Sequence, residues 1–415
     1  MKYSVVTFGC RVNQADSLRI EEDLRARGGT ASATIDADVV VVNTCSVTAS
    51  ADQGARQTIR RIARDNPRSE IVVTGCYATR CENEVATLPN VIRVVRNGEK
   101  DRLGDFLPEW FVAGDGPCGA AIEPGIAGRT AFTLRVQTGC DEPCAYCIIP
   151  STRGSARSVP SCEVVREVRR VAASGFKEIV ITGVHLGSYG RDLMPSVGLI
   201  DLLRDLAAID ADVVFRISSL EPMDCTADVL DLIVESGGRF APHFHLPLQH
   251  ASDRMLMAMR RPYAVGYYRS LVDSIRARLP HASIGSDMIV GFPGESDVDF
   301  QANLDYLARS PLSHLHVFPY SDRPGTAASV MRGKVDGAVT RERGLQLRAV
   351  GSELTRRFHS AQHGTIRPGL TLEDGTLVVT DNYLKVRIPA GLRRNQRVNV
   401  RLLSVGSVMV GELVA

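Results

Sequence analysis

Three cysteines fall within one octapeptide of the chain, in the segment Gly139-Cys140-Asp141-Glu142-Pro143-Cys144-Ala145-Tyr146-Cys147. Three thiolates at C-x3-C-x2-C spacing on a single loop can bind three irons of a cubane cluster. A protein-held [4Fe–4S] cluster normally takes four cysteines. Three leave one iron free for an outside ligand, much as catalytic metals keep an open position. The competing readings are a zinc knuckle or three incidental thiols. Zinc wants a fourth Cys or His within a few residues, and Ile148–Arg157 supply none.

A second triad depends on topology. Cys10, Cys45 and Cys76 each follow an apolar, β-branched run: VVTFGC, VVVNTC and IVVTGC. In a parallel sheet the residues just past consecutive strands gather at the carboxyl edge, where ligands bind. Three thiolates far apart in sequence are therefore expected to converge, again with one metal corner open. The alternative is three core cysteines, since free Cys is often buried. Cys81 is the rival ligand, but it falls past the strand-end loop at a helix start. Cys118, Cys162 and Cys225, in a linker, a helix and a loop, read as structural.

The elements that must carry these thiols follow from periodicity. Strands are expected at Tyr3–Thr7, Ala37–Val42 and Glu70–Thr74, with helices over Asp16–Arg27 and Ala49–Arg64. That alternation describes a doubly wound α/β domain. Val112–Arg129, rich in Gly, Pro and Ala, reads as a linker. Six further strands are expected at Phe132–Gln137, Glu178–Thr182, Asp212–Ser218, His243–Leu248, Ile284–Val290 and Leu315–Phe318. Helices such as Cys162–Ala173, Gly198–Ala208 and Asp297–Ala308 alternate with them, which predicts a partial (β/α)6 barrel. A charged amphipathic helix over Val339–Ala361 leads to short β segments at Thr376–Thr380, Leu384–Ile388, Arg397–Leu403 and Ser407–Leu413, the pattern of a small β-barrel. The expected domains are thus 1–111, a linker 112–129, 130–362 and 363–415.

Composition narrows the class. The 415 residues are 44% hydrophobic and 23% charged, with a net charge of +2, which excludes disordered, collagen-like and coiled-coil chains. No overall basic field announces nucleic acid, so such a partner would be held by local patches. The tail is one. Arg367, Lys385, Arg387, Arg393, Arg394, Arg397 and Arg401 face only Glu373, Asp374, Asp381 and Glu412, a local excess of three positive charges. The N-terminus lacks signal-peptide character and no run is long enough to span a membrane, so a soluble, cytoplasmic protein is expected. In that compartment patterned cysteines point to metal or redox chemistry.

These residues carry a resemblance. C-x3-C-x2-C at the head of a partial barrel resembles the radical S-adenosylmethionine superfamily. With an upstream three-cysteine domain and a small C-terminal β domain, the chain is similar to the methylthiotransferases. The supporting segments are GCRVNQADS, VVNTCSVTASADQGARQTIR, VTGCYATR, GCDEPCAYCIIPSTRGSARS, EIVITGVHLGSYGRD, HLPLQHASD and GSDMIVGFPGE. NTCSVT, Gly75-Cys76-Tyr77 and Gly183–Gly190 look most like the branch that modifies threonylcarbamoyladenosine beside the tRNA anticodon. Other branches act on isopentenyladenosine or on a ribosomal-protein aspartate. Where the family commonly shows Ser-Gly after PLQ, this chain has His250-Ala251.

The resemblance implies two [4Fe–4S] clusters, on Cys10, Cys45 and Cys76 and on Cys140, Cys144 and Cys147, with S-adenosylmethionine at the open iron of the second. Reductive cleavage would give a 5′-deoxyadenosyl radical that abstracts hydrogen from C2 of the adenine, and the first cluster would present sulfur. That chemistry belongs to the cofactors, so no side chain is assigned as catalytic. Tyr146, Thr182, Gly183, Ser218, Glu221 and Gln249 stand at strand ends or between ligands, where a barrel gathers its site, and are candidates for S-adenosylmethionine contacts. Arg153 and Arg157 are candidates for holding substrate or cofactor charge. The tail resembles a TRAM domain, whose Lys and Arg grip phosphates, with Tyr383 as a candidate for base stacking. Implied partners are tRNA (the anticodon stem-loop with modified A37), an electron donor such as flavodoxin or ferredoxin, and a sulfur donor. A related enzyme with another substrate and a non-catalytic iron–sulfur RNA-binding protein are the rival readings.

Overall fold

The chain is described by a computed structural model over residues 1–107, 122–125, 129–405 and 408–414. Most of the expected linker, with Cys118, lies outside the described residues, as does Ser407.

The first domain runs β1 (Lys2–Thr7), α1 (Arg11–Ala26), β2 (Thr30–Ala31), β3 (Val39–Thr44), α2 (Ala49–Asp65), β4 (Glu70–Gly75), α3 (Cys76–Arg80), α4 (Glu82–Ala86) and β5 (Val91–Val95). Its five strands are all parallel, in the order β2-β1-β3-β4-β5. Strand alternation splits the buried valines of β3 between two cores. Val39 and Val41 pack with Ile20 and Leu24 of α1. Val40 and Val42 pack with Ala55, Ile59 and Ile62 of α2. Covering both faces is what lets a run of four valines be buried. Strand β5 was not expected because Arg93 interrupts its short apolar run.

The second domain continues with β6 (Phe132–Arg135), β7 (Gln137–Thr138), α5 (Ile149–Arg153), β8 (Arg157–Ser158), α6 (Ser161–Ala173), β9 (Glu178–Thr182), α7 (Leu199–Ala207), β10 (Val214–Ile217) and α8 (Ala227–Glu235). Then come β11 (His243–His245), α9 (Asp253–Ala258), α10 (Val265–Arg278), β12 (Ser283–Val290), α11 (Asp297–Arg309), β13 (His314–Pro319) and α12 (Gly337–Gln362). Parallel sheets β6-β9-β10 and β11-β12-β13 are joined by bridges Phe215↔Phe240 and Ser219↔His245. The result is a six-stranded parallel wall in the order β6-β9-β10-β11-β12-β13, a partial barrel. Strands β6 and β13 do not pair among the described residues, so the wall has two free lips.

The first domain fastens to both lips. Asp16 of α1 pairs with Arg135 on β6. Past β13, Arg323 pairs with Asp52 of α2 at 2.9 Å and donates to the Ser46 carbonyl at 2.8 Å.

The C-terminal strands β14 (Ile366–Leu372), β15 (Leu377–Thr380), β16 (Lys385–Arg387), β17 (Arg397–Val405) and β18 (Val408–Val414) close into a barrel, β14-β15-β16-β18-β17. Strand β14 was not anticipated because Pro368 and Gly369 break its pattern. Arg216 of β10, fully buried, ties this barrel to the central one. It pairs with Glu178 at 2.9 Å and donates to the Asp381 carbonyl at 2.9 Å.

Candidate active site between two thiol triads

Register brings the first triad together. Thr7 pairs with Asn43 and Thr44 with Gly75, so β1, β3 and β4 end level and adjacent. Cys10 stands before α1, Cys45 just past β3, and Cys76 opens α3. The turn into Cys76 needs Gly75. Its φ is +100°, and a Cβ there would lie 2.2 Å from the Thr44 carbonyl oxygen. Burial pushes the Cys45 thiol up to about 11, and the neighbouring Cys10 and Cys76 add to the rise. Asn97 Nδ2 donates to Cys76 Sγ at 3.6 Å and to the Thr152 carbonyl at 2.9 Å, linking the triad to α5 of the second domain. Cys81 sits before α4 among Thr79, Glu82 and Arg96, facing a surface cleft instead.

The second triad is held by its loop. The Ala145 amide donates to Met259 O at 3.0 Å, and its carbonyl accepts from the Ala328 amide at 2.7 Å. The Cys140 amide donates to Gly154 O at 3.1 Å. Burial pushes the Cys147 thiol up to about 12, with Cys144 and Cys140 acting in the same direction. Arg261 donates to Cys144 Sγ at 3.1 Å and pairs with Glu221. His185 Nε2 donates to Asp224 Oδ2 at 2.8 Å, and its other ring nitrogen lies 4.0 Å from Cys140 Sγ.

Three thiols in each group suit iron–sulfur clusters, and neither triad is drawn tight enough for a single ion. Among the described residues, the three-ligand group whose atoms all lie within 4.8 Å of one another is His245, Asp287 and His316. The thiol triads are wider. Sulfurs around one zinc at ~2.3 Å would sit roughly 3.8 Å apart, whereas thiolates on separate corners of a cubane spread further.

A buried charge cluster lies beside the first triad. Asp16 accepts from Lys100 Nζ and from Arg153 Nη2, each at 3.0 Å, and from Arg135. Burial works against its ionisation, but Lys100, Arg153 and Arg135 hold the carboxyl well below the usual range. Three cations face one buried carboxylate. Arg153 stays charged although burial opposes it, because Cys76, Asp16 and Cys10 lie close. Arg153 is turned inward onto Asp16 beside Cys76 and Cys10, while Arg157 is exposed on β8.

The other expected contact residues spread along the rim. Thr182 ends β9 and accepts from the Ser218 hydroxyl at 3.2 Å. Gly183 follows, so close to Leu186 and Gln137 that a Cβ would meet them at 2.9 and 3.0 Å. Gln249, with φ of +69°, bridges to Met288. Tyr146 is half-buried against the Met255, Met259 and Ile289 cluster. Glu221 is engaged by Arg261. His250, the family departure, is fully buried and pairs with Glu295 at 3.2 Å and Asn303 at 3.0 Å. Tyr383, 40% exposed, packs against His243 of β11 with ring centroids 4.5 Å apart and planes 30° from parallel. Asp16, Lys100, Arg135 and Arg261 went unassigned in the sequence. Asp16 alone carried a signal: a carboxylate between Val12, Ala15 and Ile20 on the apolar stripe of a helix calls for buried cations.

Residues 2–96 match the family described as Uncharacterized protein family UPF0004, and residues 134–307 match the Radical SAM superfamily. The chain is 37% identical over 400 residues to the threonylcarbamoyladenosine tRNA methylthiotransferase MtaB of Aquifex aeolicus, covering 93% of this chain and 96% of that one. It belongs to the radical SAM tRNA methylthiotransferase family. The corresponding enzyme of Bacillus subtilis is 33% identical over 92% of this chain and 88% of its own. A tRNA-2-methylthio-N(6)-dimethylallyladenosine synthase of Sphingopyxis alaskensis is 35% identical over 99% and 96%. Among solved structures, the radical S-adenosylmethionine methyltransferase TsrM of Kitasatospora setae superposes with a TM-score of 0.56 at 15% identity, over 79% of this chain and 77% of that one, a likeness of fold. This methylthiotransferase contains no helix, among its described residues, long and apolar enough to cross a membrane.

Proposed function

We propose that this enzyme inserts a methylthio group at C2 of N6-threonylcarbamoyladenosine at position 37 of tRNA. The observation that carries the reaction type is the pair of thiol triads, one at the rim of the barrel and one on the domain that spans its two lips. The MtaB relatives, with 37% and 33% identity over nearly the whole chain, support the choice of nucleoside.

In this reading Cys10, Cys45 and Cys76 hold one [4Fe–4S] cluster, and Cys140, Cys144 and Cys147 hold another that takes S-adenosylmethionine. When bound, these groups supply the radical and sulfur chemistry. The chain positions and shields. Ala145 and Arg261 fix the second loop, and Asn97 and Gly75 fix Cys76. Thr182, Gly183, Ser218, Gln249 and Tyr146 line the S-adenosylmethionine side, while Glu221 acts through Arg261. Roles divide by segment: 1–111 carries the sulfur-donating cluster, 130–362 the radical site and 363–415 the RNA grip, with 112–129 as linker. Lys385, Arg387 and Arg401, exposed on the small barrel and without an ion pair among the described residues, suit the phosphates of an anticodon stem-loop. A flavodoxin- or ferredoxin-type electron donor and a sulfur donor complete the cycle in the cytoplasm.

Mass spectrometry of tRNA nucleosides from a deletion strain tests the assignment. The 2-methylthio derivative should vanish while threonylcarbamoyladenosine persists. Unchanged nucleosides would overturn it. Selective loss of 2-methylthio-dimethylallyladenosine would instead favour a second reading, supported by the Sphingopyxis relative.

A further inference from the structure

The wall formed by β11, β12 and β13 carries a row of imidazoles that neither cluster nor cofactor explains. His243 and His314 lie parallel, 6.3 Å between ring centroids. His316 is 5.5 Å from both His314 and His245. The row is built in. Gly285 of β12 leaves room for the His314 ring, which would otherwise lie 2.1 Å from a Cβ at that position.

Asp287 organises the upper end. Its Oδ1 lies 3.0 Å from His245 Nε2 and 3.3 Å from His316 Nδ1. The Ser219 hydroxyl engages His245 Nδ1 at 2.7 Å. With Nδ1 on Asp287, His316 has Nε2 left for an outside partner, and its side chain is 56% exposed. The hydrogen bond to Asp287 raises the His316 pKa, whereas burial lowers that of His314 to about 4. The lower end is closed by Tyr383, whose hydroxyl accepts from Arg11 at 2.8 Å. Arg11 is the residue after Cys10 and reaches the wall from the sulfur-donating side. The remaining cation, Arg216, is neutralised by Glu178.

We propose that this wall recognises a carboxylate on the N6 substituent of the target adenosine, with His316 as the principal donor. The proposal deepens the threonylcarbamoyl reading and rests on it. A threonylcarbamoyl group ends in a carboxylate; a dimethylallyl group is wholly apolar. Seating the apolar group here would leave polar atoms unpaired, which rejects a substrate more strongly than a misfitting apolar contact does. His314, held uncharged by burial beside His316, adds no second charge where the anionic group enters.

The test uses reconstituted full-length enzyme and two RNAs, one bearing N6-threonylcarbamoyladenosine and one its methyl ester. The wild type should favour the free acid by about ten- to hundred-fold in kcat/KM, the range for a hydrogen bond to a charged group. His316→Ala should erase that preference through KM, leaving ester turnover and RNA-free S-adenosylmethionine cleavage within about twofold. His316→Gln, which keeps a donor, should recover part of the preference. Equal loss on both RNAs, or retained discrimination in His316→Ala, overturns the proposal. Binding without turnover separates it from the parent reading. Acid preference in binding with no methylthiolation of either RNA removes the parent reading and keeps the wall. Methylthiolation with no acid preference removes the wall. Stoichiometric metal beyond cluster iron that disappears in His316→Ala would show a metal site on His245, Asp287 and His316 and would also overturn it.

Discussion

Replacing Asp16 with Asn removes the one carboxylate that Lys100, Arg135 and Arg153 share. The Asp16 side chain is 0% exposed and accepts from Lys100 and Arg153 at 3.0 Å each. At an effective dielectric of ~20, each contact near 3 Å is worth roughly 5 kcal/mol gross. Desolvation of the four groups consumes most of that. The net cost of breaking such a buried set is about 3–5 kcal/mol, because Lys100 and Arg153 lose their carboxylate while Arg135 keeps Asp101. For a domain that is stable by ~5–15 kcal/mol this is a large fraction. With a urea slope of ~2 kcal/mol/M, the midpoint for the first domain should fall by about 2 M. Far-UV circular dichroism of the apoprotein, with limited proteolysis to assign the domain, reads it. Adding Lys100→Met, which deletes one orphaned cation, should restore part of the loss. The acid limb supplies an independent check. The folded pKa of Asp16 is depressed although burial opposes this, so its contribution is complete above the unfolded value of ~4 and fades as pH drops below it. Wild-type stability should therefore fall more steeply below pH ~4 than that of Asp16→Asn. A midpoint within about 0.5 M of wild type, or parallel acid limbs, would refute the assignment of this cluster as the fastening between domains.

Two further outcomes follow from single residues. In Gly75→Ala the new Cβ meets the Thr44 oxygen and nitrogen at 2.2 and 2.5 Å, backbone atoms that cannot swing aside. Cys76 should be displaced, and iron after anaerobic reconstitution should drop from about eight to about four per chain with S-adenosylmethionine cleavage intact; unchanged iron would contradict this. Arg216→Met leaves Glu178 buried without its partner and frees the Thr380 and Asp381 carbonyls. It should cost about 3–5 kcal/mol and make the small barrel protease-sensitive beyond α12, and an unaltered digestion pattern would count against it.

The parallel sheet and the partial barrel were legible because buried parallel strands write themselves as apolar runs, VVVV at 39–42 and EIVIT at 178–182, broken by helical periods. The grouping of the thiols was legible for two reasons: tight spacing in one triad and, in the other, identical positions after strands that end level and adjacent. What stayed hidden depends on contacts across domains. Nothing local marks Lys100 or Arg135 as partners of Asp16, since they lie 84 and 119 residues away. Arg153 stood out as a candidate for substrate or cofactor charge, but its burial at 4% exposure against Asp16 depends on a contact 137 residues away. Tyr383 read as a base-stacking candidate because it sits in a turn-rich segment, and only the fold brings it to His243. Strand β14 was missed because local propensity, with Pro368 and Gly369, argues against the pairing that barrel closure enforces.

The first domain grips both free edges of the wall, by Asp16 on Arg135 and by Asp52 on Arg323, and so works as a buckle. Both edges are thus held by one domain. A nucleobase bound for this interior cannot be reached while stacked among its neighbours. It must be swung out of the RNA strand and inserted singly, which costs least in an unpaired loop.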